Sequence, residues 1–205
     1  MDKARIAWRL KRNANAIALI GMTDPDRLPD PVAALQALPP GSALIWRAYG
    51  VEPNAADLRR LSSAAERKNC RLLLAGHPRF VRRLNAGGLH LPERMAGRRF
   101  NAGYVVSLND LPPGVAVTVA CHSERAIHAA AKVNADAVVI SPVFPTASHP
   151  HAKSLGVSRF ARLARLAQSL GMAPYALGGI ATEANIRRLS GTGAAGVAGI
   201  SFLAP

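Results

Sequence analysis

Acidic residues, aromatics and cysteines are all scarce in this chain of 205 residues. Twelve Asp and Glu stand against 26 Lys and Arg, a formal net charge of +14, so anions rather than cations are the expected partners. Five Phe, three Tyr and two Trp leave little flat surface on which bases could stack. The basic residues fall in scattered pairs (Arg59-Arg60, Arg82-Arg83, Arg98-Arg99, Arg187-Arg188) that read as solvated helix faces. A nucleic-acid groove is therefore not expected, whereas a positive field suits a small phosphorylated ligand. Cys70 and Cys121 lie far apart and in no metal-like spacing, which argues against a disulfide framework and points to reduced thiols in the cytoplasm. No apolar run approaches the roughly 18 residues of a membrane helix, so no membrane association is expected. Residues 1–14 read as a basic N-terminal helix. The apolar stretch after them leads into TDPD rather than a small-residue cleavage site.

What the chain does have is a series of short apolar runs: Ala16–Met22, Ala43–Trp46, Arg71–Ala75, Gly88–Leu91, Val115–Ala120, Ala137–Ile140, Pro174–Leu177 and Gly196–Ile200. They are rich in Val, Ile, Leu and Ala and mostly do not alternate, as strands buried on both faces of a parallel sheet should not. Helical patterns lie between them. Asn54 can cap Ala55–Lys68, Ser123 can cap Glu124–Asn134, and Thr182 opens Ala184–Leu189. Arg159–Leu170 carries an apolar stripe ending at Gly171. The fold class is α/β, and the expected architecture is a (β/α)8 TIM barrel forming one domain over residues 1–205. The eighth helix would be truncated or missing, since the chain ends at SFLAP. An open doubly wound sheet is the alternative, but no Gly-rich dinucleotide fingerprint follows the first strand.

Chemistry in such a barrel gathers at the C-terminal ends of the strands. That selects Thr23, Asp24, Arg47, Tyr49, His77, Glu93, His122, the Ser141–His149 loop, Gly178, Gly179 and Gly199–Ser201. Glycines at the last two strand ends let backbone N–H groups approach an anion, so Gly178, Gly179, Gly199, Ile200 and Ser201 are candidate phosphate ligands, although glycine suits a tight turn equally well.

The run ADAVVISPVFPTASHPHAKSLG, followed by YALGGIATEANIRRL and GAAGVAGISF, resembles the thiamine phosphate synthase/TenI family. Upstream, GGLHLPE, VACHSERAIHAA and ALIGMTD are similar to that family's GVHLGQED, VSxHSxEEAxxA and LYLVTD. The resemblance spans about Ala18 to Phe202 and implies a barrel holding a thiazole phosphate. The family's synthases join that compound to a pyrimidine pyrophosphate using Mg2+, and oxygen ligands are the physical requirement for that ion. Several of the family's positions are altered here. Its QxRxK becomes Ile45, Arg47 and Tyr49; its NDR becomes Ala75, Gly76 and His77; its second metal Asp falls on Met95, its fifth-strand Ser on Ala120 and its loop Lys on His149. Glu93 could replace one metal ligand but has no partner carboxylate.

This pattern is similar to the TenI branch, whose thiazole tautomerase moves one proton without metal or cofactor. Histidine suits such a task near neutral pH. The resemblance places the acid/base on His122, with a capping neighbourhood beside Ser123 as the bland reading. Arg47, Thr146, Ser148 and His149, together with Lys153, are the groups expected to reach substrate carboxylate or phosphate. His90 reads as a hydrogen-bonded core residue, His128 as solvent-facing, and Cys121 as pointing away from the pocket. No metal and no cofactor is expected, Mg2+ entering only if the chain is a synthase. A binder without chemistry is the third possibility, and homodimerisation is left open.

Overall fold

The computed structural model describes residues 18–47, 55–76, 81, 86–96, 111–146 and 153–200. Eight parallel strands close into a barrel in the order β1 to β8: β1 Leu19–Met22, β2 Ala43–Trp46, β3 Arg71–Ala75, β4 Gly88–Leu91, β5 Ala116–Cys121, β6 Ala137–Ile140, β7 Ala173–Leu177 and β8 Gly196–Gly199. The described helices between them are α1 Pro31–Gln36, α2 Ala55–Arg67, α3 Glu93–Ala96, α4 Glu124–Lys132, α5 Gly156–Ser169 and α6 Glu183–Arg188. The barrel is the expected fold, and its closure through β1 against β8 rules out the open sheet. The basic N-terminal segment and the chain end at Ser201–Pro205 lie outside the described residues, as do Tyr49 and His77.

Period-2 alternation along each strand sorts the side chains into two cores. Leu44, Leu72, Leu74, Val117, Val119, Cys121, Val138, Ile140 and Val197 point outward into a continuous layer beneath the helices. Ile20, Met22, Ala43, Ile45, Leu73, Ala75, Ala137, Val139, Tyr175 and Ala198 fill the barrel itself. Alanine recurs in this inner set because an eight-stranded barrel leaves room for few large side chains.

Several element ends differ from expectation for local reasons. Helices α2 and α4 stop at Arg67 and Lys132, ahead of Lys68 and Asn134, each followed two residues on by an asparagine (Asn69, Asn134) at φ +51°. That left-handed conformation ends a helix, and asparagine tolerates it better than most residues. Ser123 caps α4 as expected, its Oγ accepting from the Ala126 N–H at 3.2 Å. Thr182 and Asn185 form a reciprocal cap on α6. Helix α5 begins at Gly156, three residues before the apolar stripe suggests. The Leu155 and Gly156 N–H groups there bond back to the carbonyls of Pro142 and Val143. The loop after β6 is thus stitched closed at its base. Among the described residues no helix is long and apolar enough to cross a membrane.

Candidate active site

A cavity of about 670 Å³ opens at the C-terminal ends of the strands. Its floor includes His90 and Ala120, and its walls include Arg47, His122, Thr146, Gly178 and Ile200. These five expected site residues therefore meet in one place, together with Asp24, Ser141, Pro142 and Lys153, which were also expected there. Gly179 and Gly199 are not among the lining residues, and Ser148, His149 and Ser201 lie outside the described residues.

Strand parity explains why His122 reaches the cavity. Thr118 and Ala120 face inward on β5, so the next residue of that parity is His122, whereas Cys121 joins the outer layer. Burial pushes the Cys121 thiol up to about 12, with the Glu93 charge adding to the effect, so it is no nucleophile at neutral pH. The His122 side chain is 53% exposed and open to an incoming ligand. Its Nδ1 lies 2.8 Å from the Ser141 carbonyl oxygen and 3.3 Å from Ser141 Oγ. A carbonyl only accepts, so in the neutral ring Nδ1 carries the hydrogen and Nε2 presents the lone pair. His90, by contrast, is 2% exposed and pairs with Thr118 Oγ1 at 2.8 Å. Burial, then the Arg47 charge, pushes it down to about 4. It is a neutral floor residue, as its place within a strand suggested.

Arg47 is held rather than free. Its N–H donates to Thr23 Oγ1 at 2.8 Å, its Nε to the Thr23 carbonyl at 2.6 Å and its Nη2 to Asp24 Oδ2 at 2.8 Å. Arg27 Nη2 donates to the same Asp24 oxygen at 3.1 Å. The Arg27 guanidinium, helped by the Arg27 and Asp26 N–H groups and opposed by burial, holds the Asp24 carboxyl down at about 2. The stabilisation this gives is present in full above the ordinary value of 3.8 and disappears as pH falls toward 2. Asp24→Asn is expected to remove that acid-sensitive component, about 1 kcal/mol after solvent screening. Urea titrations at pH 7 and pH 3 check this: the gap between wild type and variant narrows at pH 3.

The described carboxylates near the cavity do not fit a divalent cation. Asp24 is bonded to two guanidinium groups and Glu93 accepts the His122 N–H. Among the described residues no three His, Cys, Asp or Glu side chains gather into a metal-holding group.

The Gly178-Gly179 pair has a packing reason of its own. Both residues have positive φ, +99° and +67°. A Cβ on Gly178 would lie 2.9 Å from Pro142 Cα, and one on Gly179 would lie 2.7 Å from Phe144 Cβ and collide with the Pro145 carbonyl oxygen. The Phe144 N–H also bonds the Gly178 carbonyl. The loop after β6 therefore lies directly on the end of β7, and the glycines make room for it. Gly179→Ala is expected to cost roughly 2 kcal/mol or more of stability, read as a lower urea midpoint.

Residues that sequence reasoning did not single out also line the cavity: Arg27, Arg159, Met22, Pro92, Leu155 and Leu177. Arg159 had one legible signal, its place in the first turn of the helix that follows the β6 loop. Arg27 had none, because it is brought in by the turn that pairs Asp24 with Leu28.

The family described as "Thiamine monophosphate synthase" matches residues 32–203. A protein of Aquifex aeolicus (strain VF5) named "Putative thiamine-phosphate synthase 2" is 35% identical over 119 residues, 58% of this chain. The match spans 58% of that relative's length as well. Among solved structures, a thiamine phosphate pyrophosphorylase from Pyrococcus furiosus superposes with a TM-score of 0.69 at 20% identity, covering 92% of this chain and 88% of that one. A deoxyribose phosphate aldolase from Aeropyrum pernix gives 0.61 at 17% identity, covering 98% and 94%. At these identities the superpositions establish the barrel alone. The family's description and the Aquifex relative's name are those of a synthase, the alternative rather than the leading reading of the sequence.

Proposed function

Because the chain belongs to the thiamine monophosphate synthase family, we propose that its cavity holds a phosphorylated thiazole and that His122 moves a proton on it. The reaction is the isomerisation of a dihydrothiazole carboxylate phosphate to its aromatic form. The observation that supports this reading most is the His122 ring, fixed at Nδ1 by the Ser141 carbonyl with Nε2 left as a base at the cavity wall. The Nε2 lone pair takes a ring C–H proton. The electron pair released from that bond enters the conjugated system, and the proton is returned at the system's far end. The ring thus ends as it began.

A ligand with a carboxylate and a phosphate suits the charge of the site. Lys153 and Arg159 line one wall and make no ion pair with any described residue, while Arg27 and Arg47 stand on another with Asp24 between them. Gly178 and Ile200 remain the proposed phosphate end, with Gly179 and Gly199 next to them in the chain, and Thr146 is the proposed contact for the other half of the ligand.

A second reading is synthase chemistry, favoured by the name of the Aquifex relative and by the four cations around the cavity. The two are separated by giving the protein either the dihydrothiazole compound alone, followed by the ultraviolet change on aromatisation, or thiazole phosphate with hydroxymethylpyrimidine pyrophosphate and Mg2+, assayed for thiamine phosphate. Isomerisation is the expected activity. Thiamine phosphate formation without isomerisation overturns the proposal in favour of the synthase.

A further inference from the structure

The end of β4 carries a carboxylate that neither the phosphate nor the ring of such a ligand accounts for. Glu93 is the first residue of the short helix α3, and the register Leu91↔Val119 sets the ends of β4 and β5 side by side. Its Oε2 accepts the His122 backbone N–H at 3.0 Å, and the same oxygen stands 3.8 Å from His122 Nε2. The second distance is too long for a hydrogen bond but close enough for charge to matter once the ring is protonated.

From this geometry, and resting on the proton-transfer reading above, we infer that Glu93 is a positioning residue and charge partner for His122. It ties down the backbone that carries the ring and offsets the positive charge the ring acquires when it takes a proton.

The surroundings make that charge consequential. Arg47, Lys153 and Arg159 line the same cavity and oppose a further cation there. Asp24 is engaged by Arg27 and Arg47, and Cys121, the neighbouring titratable group on β5, is a buried neutral thiol. Ser141, on the other side of the ring, offers neutral oxygens only. Among the described residues Glu93 supplies the carboxylate within 4 Å of the imidazole. Its charge reaches the end of β5, since it also helps push the Cys121 thiol up.

Glu93→Gln separates the two roles, because the amide oxygen can still accept the His122 N–H while the charge is gone. The expected result is a kcat for isomerisation about five- to tenfold lower with KM within twofold, as a charge acting through a histidine at about 4 Å near solvent would give. Glu93→Asp, which keeps the charge on a shorter side chain, recovers part of the loss. Wild-type kcat in Glu93→Gln overturns the charge role and leaves Glu93 as a backbone acceptor. An independent readout needs no turnover: the His122 amide proton resonance of ligand-free protein should move upfield in Glu93→Ala. An unmoved resonance overturns the positioning role whatever the activity. Wild-type protein that does not isomerise the substrate defeats the proposed function. The amide resonance then decides the positioning role by itself, a shift supporting it.

Discussion

His122→Ala is expected to lower kcat for the isomerisation by a factor of 10² to 10⁴, the usual cost of removing a positioned general base. KM should change little, because cations and backbone donors elsewhere in the cavity are proposed to carry the ligand's charge. Stability should also change little. The side chain is more than half exposed, and its Nδ1 meets only the Ser141 carbonyl and hydroxyl among the described residues. A thermal melt beside the kinetic assay therefore separates loss of the base from loss of the fold. The cavity is open enough that added imidazole should restore part of the activity of the alanine variant. Activity within threefold of wild type would take the base away from His122. His90 could not inherit the role easily, since a ring kept neutral to about pH 4 and bonded to Thr118 is a poor proton acceptor.

Strand positions were legible because both faces of a parallel barrel strand are buried, which makes each one a short dense apolar run bounded by polar residues. The same parity placed His122 inward and Cys121 outward, provided β5 was read in the correct register. A shift of one residue would have exchanged them. Helices α1 and α3 were not legible as amphipathic patterns, having only six and four residues. Yet α1 carried a local signal that periodicity ignores. Asp30 precedes Pro31 and accepts the Val32 N–H at 2.8 Å, a cap followed by proline at the first helical position. At the site, the strand-end rule pointed to Arg47, His122, Gly178 and Ile200, which line the cavity, but not to what binds them. That Arg47 is locked to Thr23 and Asp24, or that Glu93 reaches His122 across two strand ends, depends on distances between residues more than twenty positions apart. The glycine pair was legible as two residues but not as one cause, since the need to seat Phe144 and Pro145 leaves the same trace as the need to approach an anion.

Replacing both Lys153 and Arg159 with alanine is expected to raise KM for a doubly anionic ligand by one to two orders of magnitude, with kcat within threefold of wild type. Both side chains line the cavity, both are exposed, and neither is neutralised by a described carboxylate. Their field is therefore available to a ligand, unlike that of Arg162, which pairs with Glu124 at 3.1 Å outside the cavity. Arg159 also lies in the first turn of α5, whose N-terminal Leu155 provides no side-chain cap, so the helix end adds to the preference for an anion. A charge-assisted hydrogen bond contributes about 1.5–3 kcal/mol, and the loss of one such contact corresponds to about ten- to a hundredfold in binding. Solvent exposure places the combined effect of the two substitutions within that range. Steady-state kinetics at 50 and 300 mM salt give the check, because the wild-type KM should rise with salt and the double variant's should rise less. Arg162→Ala is the control and should match wild type. If the double variant keeps the wild-type KM, the anionic groups are held on the Arg27 and Arg47 side and at the end of β7, and the wall formed by the β6 loop serves to cover the ligand rather than to attract it.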